Sequence, residues 1–139
     1  MGQRLPGSGG ASDMAASCER TILTVPHHKK KFNEKLSYIT SPGHLDGSPG
    51  AREKAGMQGQ GPYRLITTKG IFDFEEKTKR MRLIQTCPGE TVESIQAATG
   101  FELLVSPNVS EFPAPTVEEV RLIREVVDPG GAFVKRVAK

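Results

Sequence analysis

A glycine-rich stretch near the amino terminus holds the first residues whose types and spacing could serve chemistry. Gly7, Gly9 and Gly10 fall within residues 5–13 and lead into a segment, 11–18, that can form a short helix. Glycines let a backbone approach a ligand closely, and the amides at the start of a helix attract negative charge. The loop therefore suits a phosphate, or a thioester oxygen that becomes negative during acyl transfer. A tight strand-to-helix turn requires the same glycines, so the pattern alone leaves both interpretations open.

Imidazole and ammonium groups supply the second set of candidates. His27, His28 and the lysines at 29–31 form a basic run that could pair with phosphates, or that could be a solvated charge run at a strand end. His44 lies in a loop, from which it could reach a substrate carboxylate, although a lone loop histidine is more often simply exposed. The histidines and cysteines lack a metal-ligand spacing, and no serine has a histidine base at motif spacing. The sequence thus predicts neither a metal site nor a serine hydrolase.

The elements that would position these residues alternate between strands and helices. Apolar and β-branched runs, bounded by prolines, glycines or polar turns, predict a set of short strands. These strands are expected at 20–25, 36–38, 63–74, 81–86 and 101–105. The polar connector 75–80 predicts a hairpin. Because strands and helices follow one another along the chain, the sequence predicts an α/β fold, a layered sheet flanked by helices.

Two helices carry explicit end signals. Thr91 can cap a helix that stops where Gly100 would be a C′ glycine, and Thr116 with Glu119 forms a capping box. Residues expected in the core share the inward faces of the predicted elements. These residues are Phe72, Ile84, Val92, Ile95, Phe101 and Leu103.

The pattern divides the chain into a body and a carboxy-terminal helix. The body covers residues 1–106 and includes a long Gly/Pro-rich loop at 41–62, which holds six glycines and three prolines. Residues 43–61 of this loop are expected to be the most mobile internal segment. A Pro-rich link at 107–115 precedes the helix at 116–128, and a basic tail follows at 129–139.

Composition bounds the class of protein. At 139 residues the chain has the length of one domain, and its 19 Lys+Arg and 16 Asp+Glu are interleaved, which argues against a nucleic-acid-binding module. No hydrophobic run approaches the length of a membrane span. Two cysteines without CxxC spacing are expected to be reduced thiols in a cytoplasmic protein.

Several separate motifs, taken in order, resemble the B subunit of a class I coenzyme A transferase of the glutaconate type. The glycine-rich loop matches a GxGGAxD pattern through Gly7, Gly9, Gly10, Ala11 and Asp13. Further agreement covers nearly the whole chain, at 25–35, 40–44, 61–62, 71–74, 88–89 and 99–100.

The resemblance implies a partial domain of the coenzyme A transferase (NagB/RpiA-like) fold. It implies coenzyme A as a substrate, in an acyl-CoA thioester, together with a free carboxylic acid, no metal, and an A subunit as partner in a hetero-oligomer. It places Gly7, Gly9 and Gly10 beside the acyl-CoA, and it gives the phosphates of coenzyme A as the groups that the basic run could bind.

The resemblance implies a glutamate nucleophile within a Ser-Glu-Asn-Gly element. This chain has no counterpart of that element, since none of its Glu residues is followed by Asn-Gly. We therefore assign no catalytic residue, and we expect the carboxy-terminal half of a subunit, inactive alone, whether truncated or a natural split product. Three alternatives remain. The first is a subunit of the same fold that hydrolyses a carbon–carbon bond in a cyclic CoA ester. The others are a non-catalytic partner domain and, remotely, a basic nucleic-acid module.

Overall fold

One mixed sheet of five strands, in the order β1-β2-β3-β4-β5, organises the residues that the computed structural model describes, 7–132. Its strands are β1 (Arg20–Val25), β2 (Gly61–Thr67), β3 (Gly70–Phe74), β4 (Met81–Thr86) and β5 (Leu104–Glu111). β1 pairs with β2 and β4 with β5 in parallel, whereas β3 is antiparallel to both of its neighbours. The predicted α/β class is confirmed.

Short helices connect the strands. α1 (Ala11–Ser17) precedes β1, α2 (Ala51–Lys54) lies before β2, and α3 (Val92–Ala97) joins β4 to β5. α4 (Val117–Leu122) continues as a π-helical turn over Ile123–Val127. None of the helices within 7–132 is long and apolar enough to cross a bilayer. The start of the glycine-rich stretch and most of the predicted basic tail lie outside the described residues.

Two hairpins form the centre of the sheet. The predicted strand at 63–74 is in fact two strands, β2 and β3, because the chain turns at 68–69. The predicted hairpin between β3 and β4 is confirmed, and the Glu75 carboxylate holds its connector. This carboxylate accepts hydrogen bonds from the backbone N–H of Thr78 at 2.7 Å and from the Thr78 hydroxyl at 2.7 Å, which lowers the pKa of Glu75 to about 2.

α3 packs its apolar face on the sheet. Thr91 caps the helix as predicted, in a capping box completed by Ser94. Gly100 was predicted as the C′ glycine of this helix, but the structure requires glycine there for a different reason. Its N–H donates to the carbonyl of Phe32 at 2.7 Å, and a Cβ at this position would lie 2.6 Å from the same oxygen. Gly100 is therefore required for a close approach of two backbones.

The core lies between α3 and one face of the sheet. Its buried apolar residues are Phe32, Leu65, Phe72, Leu83, Ile95 and Leu103, and Val92 and Phe101 pack against them. The prediction for Ile84 was wrong, because β3 and β4 change register at this point. Ile71 pairs with Gln85 and Phe72 with Leu83, so Ile84 is the extra residue of a bulge and Leu83 points inward.

Other boundaries also differ from expectation. Residues 36–38 do not form a strand, and Leu36 and Tyr38 are exposed. The Gly/Pro-rich loop contains α2 instead of being structureless, and the expected link at 107–115 begins later because β5 continues to Glu111.

Apolar residues at both ends of the described chain are exposed. β1 is an edge strand whose Ile22 and Leu23 are 59% and 45% exposed. The Thr116 cap is confirmed, yet the apolar stripe of the last helix, including Val117 and Val127, faces away from the core.

Candidate functional site

The glycine-rich loop is open on the side where side chains would project. Gly7, Gly9 and Gly10 are surface residues, and a Cβ added to any of them would meet no atom of residues 7–132 within 4 Å. Gly9 has a φ of 54°, so the turn itself requires that glycine. Gly10 is the N-cap of α1 without a side-chain cap, and its carbonyl accepts from the N–H of Met14 at 3.0 Å. Any requirement for glycine at positions 7 and 10 must therefore come from something outside the described residues.

His27 is a buried residue, not a solvated or phosphate-binding one. Only 5% of it is exposed, and its ring stacks on Phe32 with centroids 4.0 Å apart. Its Nδ1 lies 3.2 Å from the hydroxyl of Thr67, and its Nε2 lies 3.0 Å from that of Thr99. Burial lowers the pKa of His27, with a smaller contribution from the charge of Lys69, and both effects favour the neutral form of the ring. Neither of the two alternatives that the sequence left open for His27, phosphate pairing and a solvated charge run, describes this buried ring.

The two threonines join His27 to three separate segments. The Thr67 hydroxyl donates to the carbonyl of Gly70 at 2.8 Å and accepts from the backbone N–H of the same residue at 3.0 Å. The Thr99 hydroxyl lies 2.8 Å from the carbonyl oxygen of Ile95 and 3.0 Å from Nε2 of His27, and it can donate its one proton to either. The cluster thus connects the end of β1, the β2–β3 turn and the end of α3. The position of His27, directly after the proline that follows β1, was only a weak signal for this cluster. The spacing of the residues gives no link between positions so distant in sequence.

The rest of the basic run is exposed beside this cluster. His28 and the lysines at 29–31 form a tight turn, in which the N–H of Lys31 donates to the carbonyl of His28 at 2.8 Å. The ammonium of Lys69 instead pairs with the Glu90 carboxylate, at 2.7 Å from each oxygen. The ammonium groups at 29–31 therefore remain the candidates for phosphate binding near this end of β1.

His44 is held by the fold. Its Nε2 lies 2.9 Å from the carbonyl oxygen of Pro62, and its ring meets the Phe74 ring edge-on with centroids 4.8 Å apart. Burial lowers its pKa. Neither the expected exposed histidine nor a mobile substrate ligand is present, because the imidazole fastens the loop to β2 and β3.

Arg52, in α2, is a residue that sequence reasoning missed. It is only 7% exposed although it lies in the Gly/Pro-rich loop. Its Nη1 donates to the carbonyl of Gly43 at 2.7 Å, and its Nη2 donates to the carbonyls of Ala15 at 2.8 Å and Gln58 at 3.2 Å. A single arginine among loop glycines gave no indication that it would be buried.

The remaining candidates form no further site. Cys18 and Cys87 are free thiols, and burial raises the pKa of Cys87. Between residues 7 and 132, no three His, Cys, Asp or Glu side chains converge in a way that could hold a metal ion.

Comparison with known proteins adds a family and close relatives. Residues 1–98 match the sequence model described as "Coenzyme A transferase". The chain is 46% identical to the B subunit of glutaconate CoA-transferase from Acidaminococcus fermentans over 133 residues, which cover 95% of this chain and 49% of that protein. It is 33% identical to the B subunit of 3-oxoadipate CoA-transferase from Pseudomonas knackmussii, over 87% of this chain and 46% of that protein.

A solved structure and a more distant relative complete the comparison. The crystal structure of glutaconate coenzyme A-transferase from A. fermentans superposes with a TM-score of 0.87 and 43% identity, over 97% of this chain and 51% of that one. The cholesterol ring-cleaving hydrolase IpdB subunit of Mycobacterium tuberculosis is 29% identical, over 74% of this chain and 40% of that protein. The chain spans about half the length of the curated relatives it matches.

Proposed function

Because the chain belongs to the coenzyme A transferase family, we propose that it forms part of the B subunit of an enzyme that moves coenzyme A between an acyl-CoA thioester and a free carboxylate. The observation that carries this proposal is the 46% identity to a transferase B subunit across 95% of the chain. That relative is a glutaconate CoA-transferase, which favours a dicarboxylate as one of the substrates.

The proposed reaction proceeds through a glutamyl-CoA intermediate. A glutamate carboxylate attacks the thioester carbonyl and expels the thiolate of coenzyme A, giving an anhydride that the thiolate then opens. The acceptor carboxylate takes over coenzyme A by the reverse steps. Since no Glu of this chain is followed by Asn-Gly, a different segment or chain supplies that carboxylate.

The edge of the sheet supports assembly with further polypeptide. β1 is a parallel strand whose outer edge pairs with no other strand of the described residues, and it carries Ile22 and Leu23 exposed on opposite faces. Parallel strands are normally buried on both faces, and an open apolar edge favours pairing with another strand. We propose that the remaining part of a B subunit and an A subunit cover this region, in a cytoplasmic hetero-oligomer.

The glycine-rich loop is the part of this chain that we propose borders the acyl-CoA. With Gly7, Gly9 and Gly10 unobstructed, their backbone amides can approach a developing oxyanion or a phosphate. We therefore expect Gly10→Val in the assembled enzyme to lower turnover or CoA affinity. Gly130→Val is the matched control, since Gly130 is also an open glycine without a left-handed φ. Full activity of folded Gly10→Val would refute a role for the loop.

Acceptor dependence separates transfer from hydrolysis. The chain is assembled with the A subunit and the rest of the B subunit, then incubated with acyl-CoA, with and without labelled acetate or glutaconate. Transfer requires the acceptor acid and yields its labelled CoA ester, whereas a ring-opening hydrolase consumes its CoA ester without an acceptor. The 29% identity to the ring-cleaving hydrolase makes the second outcome the less favoured one. Binding of the partners without either activity would leave the chain a non-catalytic partner domain.

A further inference from the structure

α1, which follows the glycine-rich loop, has little apolar packing to hold it in place. None of its residues is buried, and Met14, its largest side chain, is 63% exposed. Its backbone continues directly from the loop, since the N–H of Ala11 donates to the carbonyl of Ser8 at 3.1 Å. The position of the loop therefore depends on polar contacts that reach α1 from elsewhere in the fold.

Arg52 makes such a contact at the end of α1. Its Nη2 donates to the carbonyl of Ala15, in the last turn of the helix, at 2.8 Å. The final carbonyls of a helix lack intrahelical partners and carry partial negative charge, so a guanidinium is a favourable donor there. The other carbonyls that Arg52 binds belong to Gly43 and Gln58, on either side of α2. One buried cation thus joins α1 to two points of the Gly/Pro-rich loop.

The surroundings of the guanidinium are shaped to hold it. Gly61, at the start of β2, has a φ of 84°, and a Cβ there would lie 2.9 Å from the Cδ and Nε of Arg52. Nε is buried without a hydrogen-bond partner in the described residues. Burying the Arg52 guanidinium removes water from its charge and from the carbonyl groups that it binds, which costs free energy. A role on the protein surface therefore does not account for this arginine.

We infer that Arg52 is a positioning residue, which sets the orientation of α1 and hence of the Gly7–Gly10 loop against the acyl-CoA. This inference rests on the proposed function for the identity of the ligand, but its structural part does not. Lysine at position 52 would keep the charge, yet a single ammonium lacks the planar fork that reaches three carbonyls at once. Arg52→Lys therefore separates geometry from charge.

Hydrogen exchange of the 139-residue chain tests the structural part. Arg52→Lys should speed exchange of the amides in α1 by roughly 10-fold or more, since a hydrogen bond from a charged donor is lost. Amides of β3 and β4 should exchange as in the unmodified chain. Arg20→Lys is the matched control, because the Arg20 guanidinium is exposed over the Tyr63 ring and makes no hydrogen bond to α1 within residues 7–132. Unchanged exchange in α1, or equal acceleration throughout the chain, would overturn the inference.

Kinetics of the assembled enzyme test the functional part. If the loop faces the oxyanion of the transition state, Arg52→Lys should lower kcat and kcat/KM together, with KM for acyl-CoA nearly unchanged. A rise in KM for acyl-CoA alone would support positioning of the loop against a phosphate of coenzyme A instead, and no change in either constant would refute positioning of the loop. Absence of transferase activity in the unmodified assembly would refute the proposed function instead, and the exchange result would stand independently.

Discussion

The packing of α3 on the sheet gives the sharpest test of the fold. Ile95 is fully buried, and its Cδ1 lies 3.3 Å from the position that a Cβ of Gly70 would occupy. Ile95→Ala removes three carbon groups, a transfer term of roughly 2.4 kcal/mol at about 0.8 kcal/mol per group. Because the surrounding residues close such a cavity only partly, we expect a total loss of about 2–5 kcal/mol in the free energy of unfolding.

Urea unfolding of the 139-residue chain, followed by circular dichroism, measures this loss. Ile39→Ala is the matched control, since Ile39 is 69% exposed and should change stability by no more than about 0.5 kcal/mol. The midpoint for Ile95→Ala should fall without a change in m-value, which would indicate an altered native stability and not an altered unfolded state. A loss below about 0.5 kcal/mol for Ile95→Ala would refute the packing of α3 on the sheet.

Three further changes test the site and the loop. Burial lowers the pKa of His27 below its ordinary 6.5, so the unfolded chain binds a proton that the folded chain does not, and the free energy of unfolding should fall as pH drops below about 6.5. His27→Gln should reduce this dependence of stability on pH, whereas His28→Gln, at an exposed position, should not. Equal pH dependence in the unmodified chain and both variants would contradict the burial of the His27 ring. Gly61→Ala should destabilise the chain by about 1–3 kcal/mol through its left-handed φ and its contact with Arg52, whereas Gly130→Ala, in open space, should be nearly neutral; equal unfolding midpoints would argue against the Arg52 contact. The chain treated alone with acyl-CoA should yield no CoA adduct on any Glu by mass spectrometry, and an adduct at a defined residue would show that it carries its own nucleophile.

Local signals in the sequence predicted the elements with short-range causes. The Thr91 and Thr116 caps are correct because a capping interaction joins residues three apart. The β3–β4 hairpin is also correct, since its polar connector lies between two apolar runs. Ile84 was misplaced because a bulge shifts the register between two strands, and no periodicity within one strand reports the register with its neighbour.

The candidate site divides in the same way. Motif order in the sequence led to the coenzyme A transferase family and to the glycine-rich loop, because these depend on residue types along the chain. The roles of His27, His44 and Arg52 depend on contacts between residues that are distant in sequence. His27 bonds to a residue 72 positions away, His44 to one 18 positions away, and Arg52 to one 37 positions away, in α1. Local sequence does not encode which residues become neighbours over such separations.

The sequence by itself determined the capped helices, the α/β alternation and the family. Only the tertiary structure decided that the basic run begins with a buried histidine, that the Gly/Pro-rich loop surrounds a buried guanidinium, and that β1 leaves an apolar edge open. The physical reason is that burial is a property of the packed whole. The same imidazole or guanidinium is solvated on a surface and loses that hydration in a core, where hydrogen bonds from distant segments must replace it.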